Sequence, residues 1–590
     1  MATQTDLPIT VEFNVPAVMR DGVTLRANVY RPAGEDRWPV LLTRLPYGKD
    51  LPIGASTLDP VQTARRGYVV IVQDTRGRMA SEGDWYPYRY EALDGFDTVA
   101  WAAELPYSNG SVGMYGASYY GYTQWLAAIH QPPALKAMVP YITWNDPFNG
   151  GSFRGGAYEL GKAANWNLSM GLNVLMRRHR GDYKTLGRNI AALVQEMNAL
   201  GKQGYWSLPL KEFAPLKPAD VAPSFFDYIE HPMDREFVES ITVRGKHQQV
   251  TVPTFNVGGW YDIFLQDTIS NFTSMRQHGS TPEARQSKLL IGPWTHGGVT
   301  NPIGELNFGF GATAAYINLQ SDFLSLQLRW FDHWLKGIDT GMLHEAPIKL
   351  FVMGANIWRD EHEWPLARAV ETRYYLHSGG HANTLHGDGI LSTEAPATEA
   401  PDTYVYDPAN PVIVRGGALL MSPEYPAGPR DQRPNEGRED MLVYTTPPLE
   451  EDMEVTGPIT VRLWAVSNAR DTDFVARLVD VHPDGFAQNL TDGIIRARYR
   501  NFAQGEAPTL IEPGRPYEYA IDLWATSNVF KVGHRIRVDI TSSNFPRWDR
   551  NLNTGAPLGT DDTPVVAHQT ILHDREHPSY IVLPIVPEGA

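Results

Sequence analysis

The sequence contains no cysteine. That excludes disulfides, thiolate metal sites and a cysteine nucleophile. It also lacks any run of about 18 apolar residues, so no transmembrane helix is expected. Cations are outnumbered: 51 Lys and Arg against 67 Asp and Glu leave a formal net charge of −16. An acidic surface repels phosphate backbones, so neither nucleic acid nor a membrane is an expected partner. Met1 to Phe13 hold no basic stretch followed by an apolar one, so no secretory leader is expected and the location reads as cytoplasmic. There is no His-Glu-x-x-His, no P-loop and no dinucleotide fingerprint in a strand–turn–helix setting, so no cofactor and no metal is expected. Asp471 with Asp473, and Asp480 with Asp484, read as solvated strand ends ahead of calcium ligands.

What is present is material for a large core. The chain has 590 residues, 42% hydrophobic and 11% aromatic. At roughly 100–200 residues per domain, that makes about three or four domains or one large domain with insertions. Asp21-Gly22 separates two β-rich runs, the turn chemistry of a hairpin. The stretches from Trp38 to Gly48 and from Gly67 to Gly77 each hold a short continuous apolar run ending in a polar loop, as strands buried on both faces do. Helical patterns such as Ala92 to Ala103 alternate with these runs, which predicts an α/β fold with a parallel sheet. Between Asp146 and Ser240 the pattern turns helical, with Ile190, Leu193, Val194, Met197 and Leu200 on one face. Strand patterns then resume, and a helix from Ser321 to Leu335 stops at Gly337. Beyond about Glu345 the alternation of Ile459, Val461, Leu463 and Ala465, and of Ile536, Val538 and Ile540, predicts a β-sandwich. The expected division is an α/β domain over 1–145 and 241–345, a helical cap over 146–240, and an all-β domain over 346–590.

The sharpest chemical signal is Gly116-Ala117-Ser118-Tyr119-Tyr120-Gly121, where a buried strand turns into a helix. Such a turn lifts a serine hydroxyl out of the sheet, and small neighbours let it close. The next backbone N–H lies at a helix N-terminus, where it can bind a developing oxyanion. A nucleophilic serine needs a base and a group that orients the base. In an α/β-hydrolase order these follow as acid, then histidine, at later strand ends. Asp262, after the run ending in Gly258-Gly259-Trp260-Tyr261, and His296, in Gly292-Pro293-Trp294-Thr295-His296-Gly297, occupy those places. Taken singly, Asp262 reads equally as a helix cap and His296 as a loop histidine bonded to backbone.

The strings PYGKD (Pro46 to Asp50), QDTRGR (Gln73 to Arg78), SEGD (Ser81 to Asp84), GASYYG, WYD and GPWTHGG resemble those of the CocE/NonD hydrolases. So do KGIDTG (Lys336 to Gly341) and LFVMGANIWRDEHEWP (Leu350 to Pro365), so the likeness spans nearly the whole chain. The group is related to the X-prolyl dipeptidyl peptidases and the α-amino acid ester hydrolases. The resemblance implies an α/β-hydrolase domain, a helical cap and a C-terminal jelly-roll sandwich. It implies Ser118 as nucleophile, His296 as general base and Asp262 as its orienting carboxylate. It assigns the oxyanion hole to the phenol of Tyr47 and the backbone N–H of Tyr119, although Tyr47 by itself reads as a buried aromatic under a loop. The amino acid ester hydrolases hold the substrate ammonium with acids two and three residues after the catalytic aspartate; here those positions are Phe264 and Leu265. Phe264 matches an aromatic position that lines the acyl pocket in the family, with simple core packing as the alternative, and Trp166 is a candidate second wall.

These readings converge on a serine hydrolase that cleaves a small-molecule ester or amide through an acyl-enzyme, with a bulky or aromatic acyl group. An X-prolyl dipeptidyl peptidase or a β-lactam side-chain acylase is the alternative. A free-amine substrate would then need Asp146 or Glu159 as its partner. In a third reading the hydrolase is degenerate and the β-sandwich binds a carbohydrate or a protein. Oligomeric state stays open between a monomer and a homodimer.

Overall fold

The computed structural model describes residues 7–217 and 219–589. Ten strands form the first sheet: β1 (Ile9–Val18), β2 (Thr24–Pro32), β3 (Trp38–Leu45), β4 (Val69–Asp74), β5 (Ser108–Ala117), β6 (Leu135–Tyr141), β7 (Phe255–Tyr261), β8 (Lys288–Thr295), β9 (Ile348–Val352) and β10 (Ile357–Glu361). Their spatial order is β1-β2-β4-β3-β5-β6-β7-β8-β9-β10. The Asp21-Gly22 hairpin joins antiparallel β1 and β2, with Gly22 at φ +86°. From β4 to β9 every pair is parallel. β4, β7 and β8 are buried at every position, because helices cover both faces. One face packs on Val99, Trp125 and Leu126, from the helices Glu91–Glu104 and Ser118–Ala128. The other packs on Leu328, Trp330, Phe331 and Leu335, from the helix Phe323–Lys336. That helix ends at Gly337 in the left-handed conformation, as expected.

The cap contains the helices Leu160–Arg178, Tyr183–Ala199 and Pro223–Glu230. Its expected apolar stripe is only half used: Leu193 and Leu200 are buried, while Val194 and Met197 face solvent. It also holds a two-residue hairpin, Phe153–Arg154 against Ala157–Tyr158, too short to show in hydropathy.

The sequence places a domain boundary at 346. β9 and β10 follow it, yet they extend the first sheet. The all-β region begins with the strand Val370–His377 and links eleven strands by hydrogen bonds. Alternation could not place β9, because a short apolar strand reads the same at the edge of either sheet. The two predicted alternating sets, Ile459 to Ala465 and Ile536 to Ile540, are fully buried. Their core is continuous with Trp260, Leu265, Phe351 and Met353 of the first domain.

Candidate active site

The chain adds strands on one side of β3 and then on the other, so the loops after β3 and β5 open a crevice at the carboxyl edge of the sheet. Tyr47 lies in the first loop and Ser118 begins the helix after β5. Ser118 sits at φ +53°, a conformation that costs a residue with a side chain on the order of 1–3 kcal/mol. Two glycines make the turn possible. Gly116 has φ +143°, and a Cβ there would overlap the Tyr120 ring. A Cβ on Gly121 would lie 2.8 Å from the Thr143 Cβ, so glycine is needed three residues after the serine, and Tyr120 fits at the second. Thr143 Oγ1 donates to the Ser118 carbonyl at 2.8 Å and ties the turn to the loop after β6.

Three distant side chains meet here in one hydrogen-bonded chain. His296 Nε2 lies 2.9 Å from Ser118 Oγ, and its Nδ1 lies 2.7 Å from Asp262 Oδ2. Asp262 is wholly buried, and its other oxygen accepts the Phe264 N–H at 2.8 Å. Asp262 is not the cap of the helix that follows, whose N-cap is Phe264; one carboxylate oxygen fixes the turn and the other meets the imidazole. The degenerate-hydrolase alternative needed this set to be broken; its geometry is intact.

Tyr47 is more than a buried aromatic. Trp166 Nε1, from the cap, donates to its phenol oxygen at 3.1 Å. With that oxygen accepting, the phenol hydrogen is left to point elsewhere, and Tyr47 and Ser118 border the same pocket. Burial pushes the phenol up to about 12, so it stays a protonated donor at neutral pH. The loop that carries it is fastened from below. Arg78 Nε donates to the Pro46 carbonyl at 2.8 Å, the Lys49 N–H donates to Asp74 Oδ1 at 2.7 Å, and Ser81 Oγ donates to the Asp74 carbonyl at 2.7 Å. The PYGKD, QDTRGR and SEGD strings thus form one clamp, a role their spacing in sequence did not reveal. The Tyr119 N–H lies in the first turn of its helix, where backbone donors have no intrahelical partner.

Beside Ser118 opens a pocket whose empty space, counting the part open to solvent, is about 590 Å³. Tyr47, Tyr88, Trp144, Trp166, Phe225 and Phe264 give it an aromatic lining. Tyr88 stacks on Tyr119 with centroids 4.5 Å apart and meets Trp144 edge-on at 4.9 Å. Phe264 presents its ring to the His296 imidazole at 5.2 Å. Both candidate pocket residues, Phe264 and Trp166, therefore line it. Tyr88 and Trp144 were missed, since a lone aromatic in a loop carries no positional signal. Lys162 also lines the cavity and was likewise missed.

Among the described residues no carboxylate lines this cavity. Asp146 pairs with Arg244 at 3.1 Å and accepts the Phe148 N–H, while Glu159 accepts the Trp548 indole N–H at 2.9 Å. Both acids named for a free-amine substrate are thus occupied elsewhere. The aspartates weighed as calcium ligands are held likewise. Asp471 pairs with Arg498 at 2.7 Å, Asp473 with Arg496 at 2.9 Å and Asp480 with His534 at 2.8 Å, while Asp484 accepts the Phe486 N–H.

A serine positioned on a strand–helix elbow of a mostly parallel sheet, joined to histidine and aspartate, defines a serine hydrolase. Residues 21–298 match the X-Pro dipeptidyl-peptidase (S15 family), and residues 340–582 match the X-Pro dipeptidyl-peptidase C-terminal non-catalytic domain. Cocaine esterase of Rhodococcus sp. (strain MB1 Bresler) is 38% identical over 584 residues, covering 98% of this chain and 99% of the relative. The aminopeptidase of the marine-sediment archaeon Thaumarchaeota archaeon has a TM-score of 0.80 at 27% identity, covering 100% of this chain and 98% of that one. An α-amino acid ester hydrolase has a TM-score of 0.79 at 26% identity, covering 99% and 98%. The chain belongs to the CocE/NonD family of serine hydrolases. Among the described residues no helix is long and apolar enough to cross a membrane.

Proposed function

We propose that the protein hydrolyses esters whose acyl group is bulky or aromatic, with Ser118 as nucleophile, His296 as general base and Asp262 holding the imidazole. As Ser118 Oγ bonds to the ester carbonyl carbon, its proton passes to His296 Nε2. The carbonyl oxygen becomes an oxyanion held by the Tyr47 phenol and the Tyr119 N–H. Collapse breaks the ester bond, and the departing alkoxide takes the proton from His296. A water then attacks the acyl carbon, gives its proton to His296, and releases the acid as Ser118 regains its hydrogen. Asp262 stays ionised throughout and stabilises the imidazolium.

The observation that carries the acyl preference is the aromatic cavity beside Ser118, walled by Trp166 and Phe264 and free of carboxylates. Aromatic walls reward flat apolar groups and give an α-ammonium no counter-ion. The test compares phenyl benzoate with phenyl acetate, together with a fluorophosphonate probe. Phenyl benzoate is expected to have the higher kcat/KM, and the probe to label Ser118 in the native protein but nothing in Ser118→Ala. Labelling at another residue, or a preference for acetate, would overturn the proposal.

A further inference from the structure

Among the described residues the cavity has one charged lining residue, and nothing in the proposed mechanism uses it. Lys162 stands in the first turn of the cap helix Leu160–Arg178 and borders the same space as Ser118. Its ammonium lies 5.4 Å from the Phe264 ring centroid and 5.8 Å from that of Trp144, near the outer limit of a cation–π contact. Its hydrogen bond, to the Gly150 carbonyl, is 3.5 Å long, at the edge of what counts as a bond. An ammonium carries three donors. The nearby acids do not pair with it: Glu159 is engaged with Trp548, and both Asp146 and Asp267 face Arg244. Burial lowers its pKa to about 8, against the opposing pull of Glu159 and Asp267, so it is mostly charged at neutral pH. A charge kept in an aromatic pocket with no carboxylate in direct contact is costly unless a ligand supplies one.

We propose that Lys162 is a specificity residue that receives a carboxylate on the acyl arm of the ester, so that the preferred substrates are monoesters of aromatic dicarboxylic acids. This rests on the reading above, in which the acyl arm enters the aromatic cavity. The aromatic ring of such an acyl group lies among Trp144, Trp166 and Phe264. Its distal carboxylate takes the donors that Gly150 leaves free. The same charge repels a substrate ammonium, which sets this pocket apart from one built for amino acid esters or peptide N-termini.

Three probes of the same shape separate the terms: phenyl benzoate, the monophenyl ester of terephthalic or isophthalic acid, and the matching phenyl carbamoylbenzoate. The carbamoyl group copies the shape of the carboxylate without its charge. In the native protein the carboxylated ester is expected to exceed its carbamoyl partner at least tenfold in kcat/KM, mainly through KM. Lys162→Met should bring that ratio to about one, and Lys162→Arg should restore part of it. A ratio near one in the native protein overturns the proposal without needing any variant to fold. So does a Lys162→Met protein that loses activity on all three esters in equal proportion, the mark of a packing role. If phenyl benzoate is turned over and Ser118 is labelled but no charge preference appears, this inference alone fails. If no aryl ester is turned over, the functional reading beneath it fails as well.

Discussion

Tyr47 and Trp166 act as a pair, and the two should be separable by kinetics. In the proposed mechanism the phenol meets the oxyanion, whereas the indole acts through it by holding its oxygen at 3.1 Å. Tyr47→Phe is expected to lower kcat by about 10²–10³, the usual loss for one oxyanion donor. Trp166→Phe keeps an aromatic wall but removes the N–H, and should lower kcat by about tenfold with a smaller change in KM. In a Tyr47→Phe background the second substitution should cost almost nothing further, because the bond it removes has already gone. Steady-state kinetics on phenyl benzoate for the two single variants and the double variant check this. Additive losses would mean that Trp166 contributes only as a wall.

The elbow between β5 and its helix concentrates conformational strain at Ser118. Ser118 holds φ +53°, and the turn closes because Gly116 occupies φ +143° with no Cβ to meet Tyr120. Gly116→Ala should push Tyr120 aside, and with it the ring that packs edge-on against Tyr47 at 6.1 Å. We expect that variant to lose activity by more than tenfold and to melt at a lower temperature. Thermal melts and kcat/KM measured together are the check. Unchanged activity would show that the elbow can relax without moving the serine. The strand–turn–helix pattern made this element readable from the sequence, since hydropathy marked β5 and glycine marked the turn.

The cap hairpin is tied to the all-β region by buried polar contacts, which an ion-pair cluster inside that region holds in place. Arg496 bonds both Asp473 and Asp549 at 2.9–3.0 Å, and Asp549 in turn accepts the Tyr158 N–H of the cap hairpin at 2.7 Å. Arg154 of that hairpin lies 3.7 Å over the Trp524 ring of the all-β region. Leu420 of the all-β region also lines the active-site cavity, so the C-terminal part shapes the pocket without supplying chemistry. Arg496→Ala should strand two buried carboxylates and cost about 3–5 kcal/mol. A fall of roughly 10 °C in melting temperature is the expected readout, with activity falling too if the cap loosens. A shift of a degree or less would show that water or neighbouring groups replace the arginine.

The residues alone determined the α/β architecture, the order of serine, aspartate and histidine, and the all-β character of the C-terminal part. Each of these follows from local signals: period-two and period-3.6 hydropathy, turn residues, and a short elbow motif that chemistry constrains. The meeting of Ser118, Asp262 and His296 was readable only as an order along the chain. What the tertiary structure alone decided are contacts between residues far apart in sequence. Trp166 reaches Tyr47 across 119 positions, and Trp548 takes up Glu159 across 389. Arg78 clamps the loop under Tyr47, and Lys162 is left without an acid in direct contact, in a pocket whose walls come from separate loops and helices. No window of neighbouring residues carries that information, because side chains brought together by packing have no periodicity that links them.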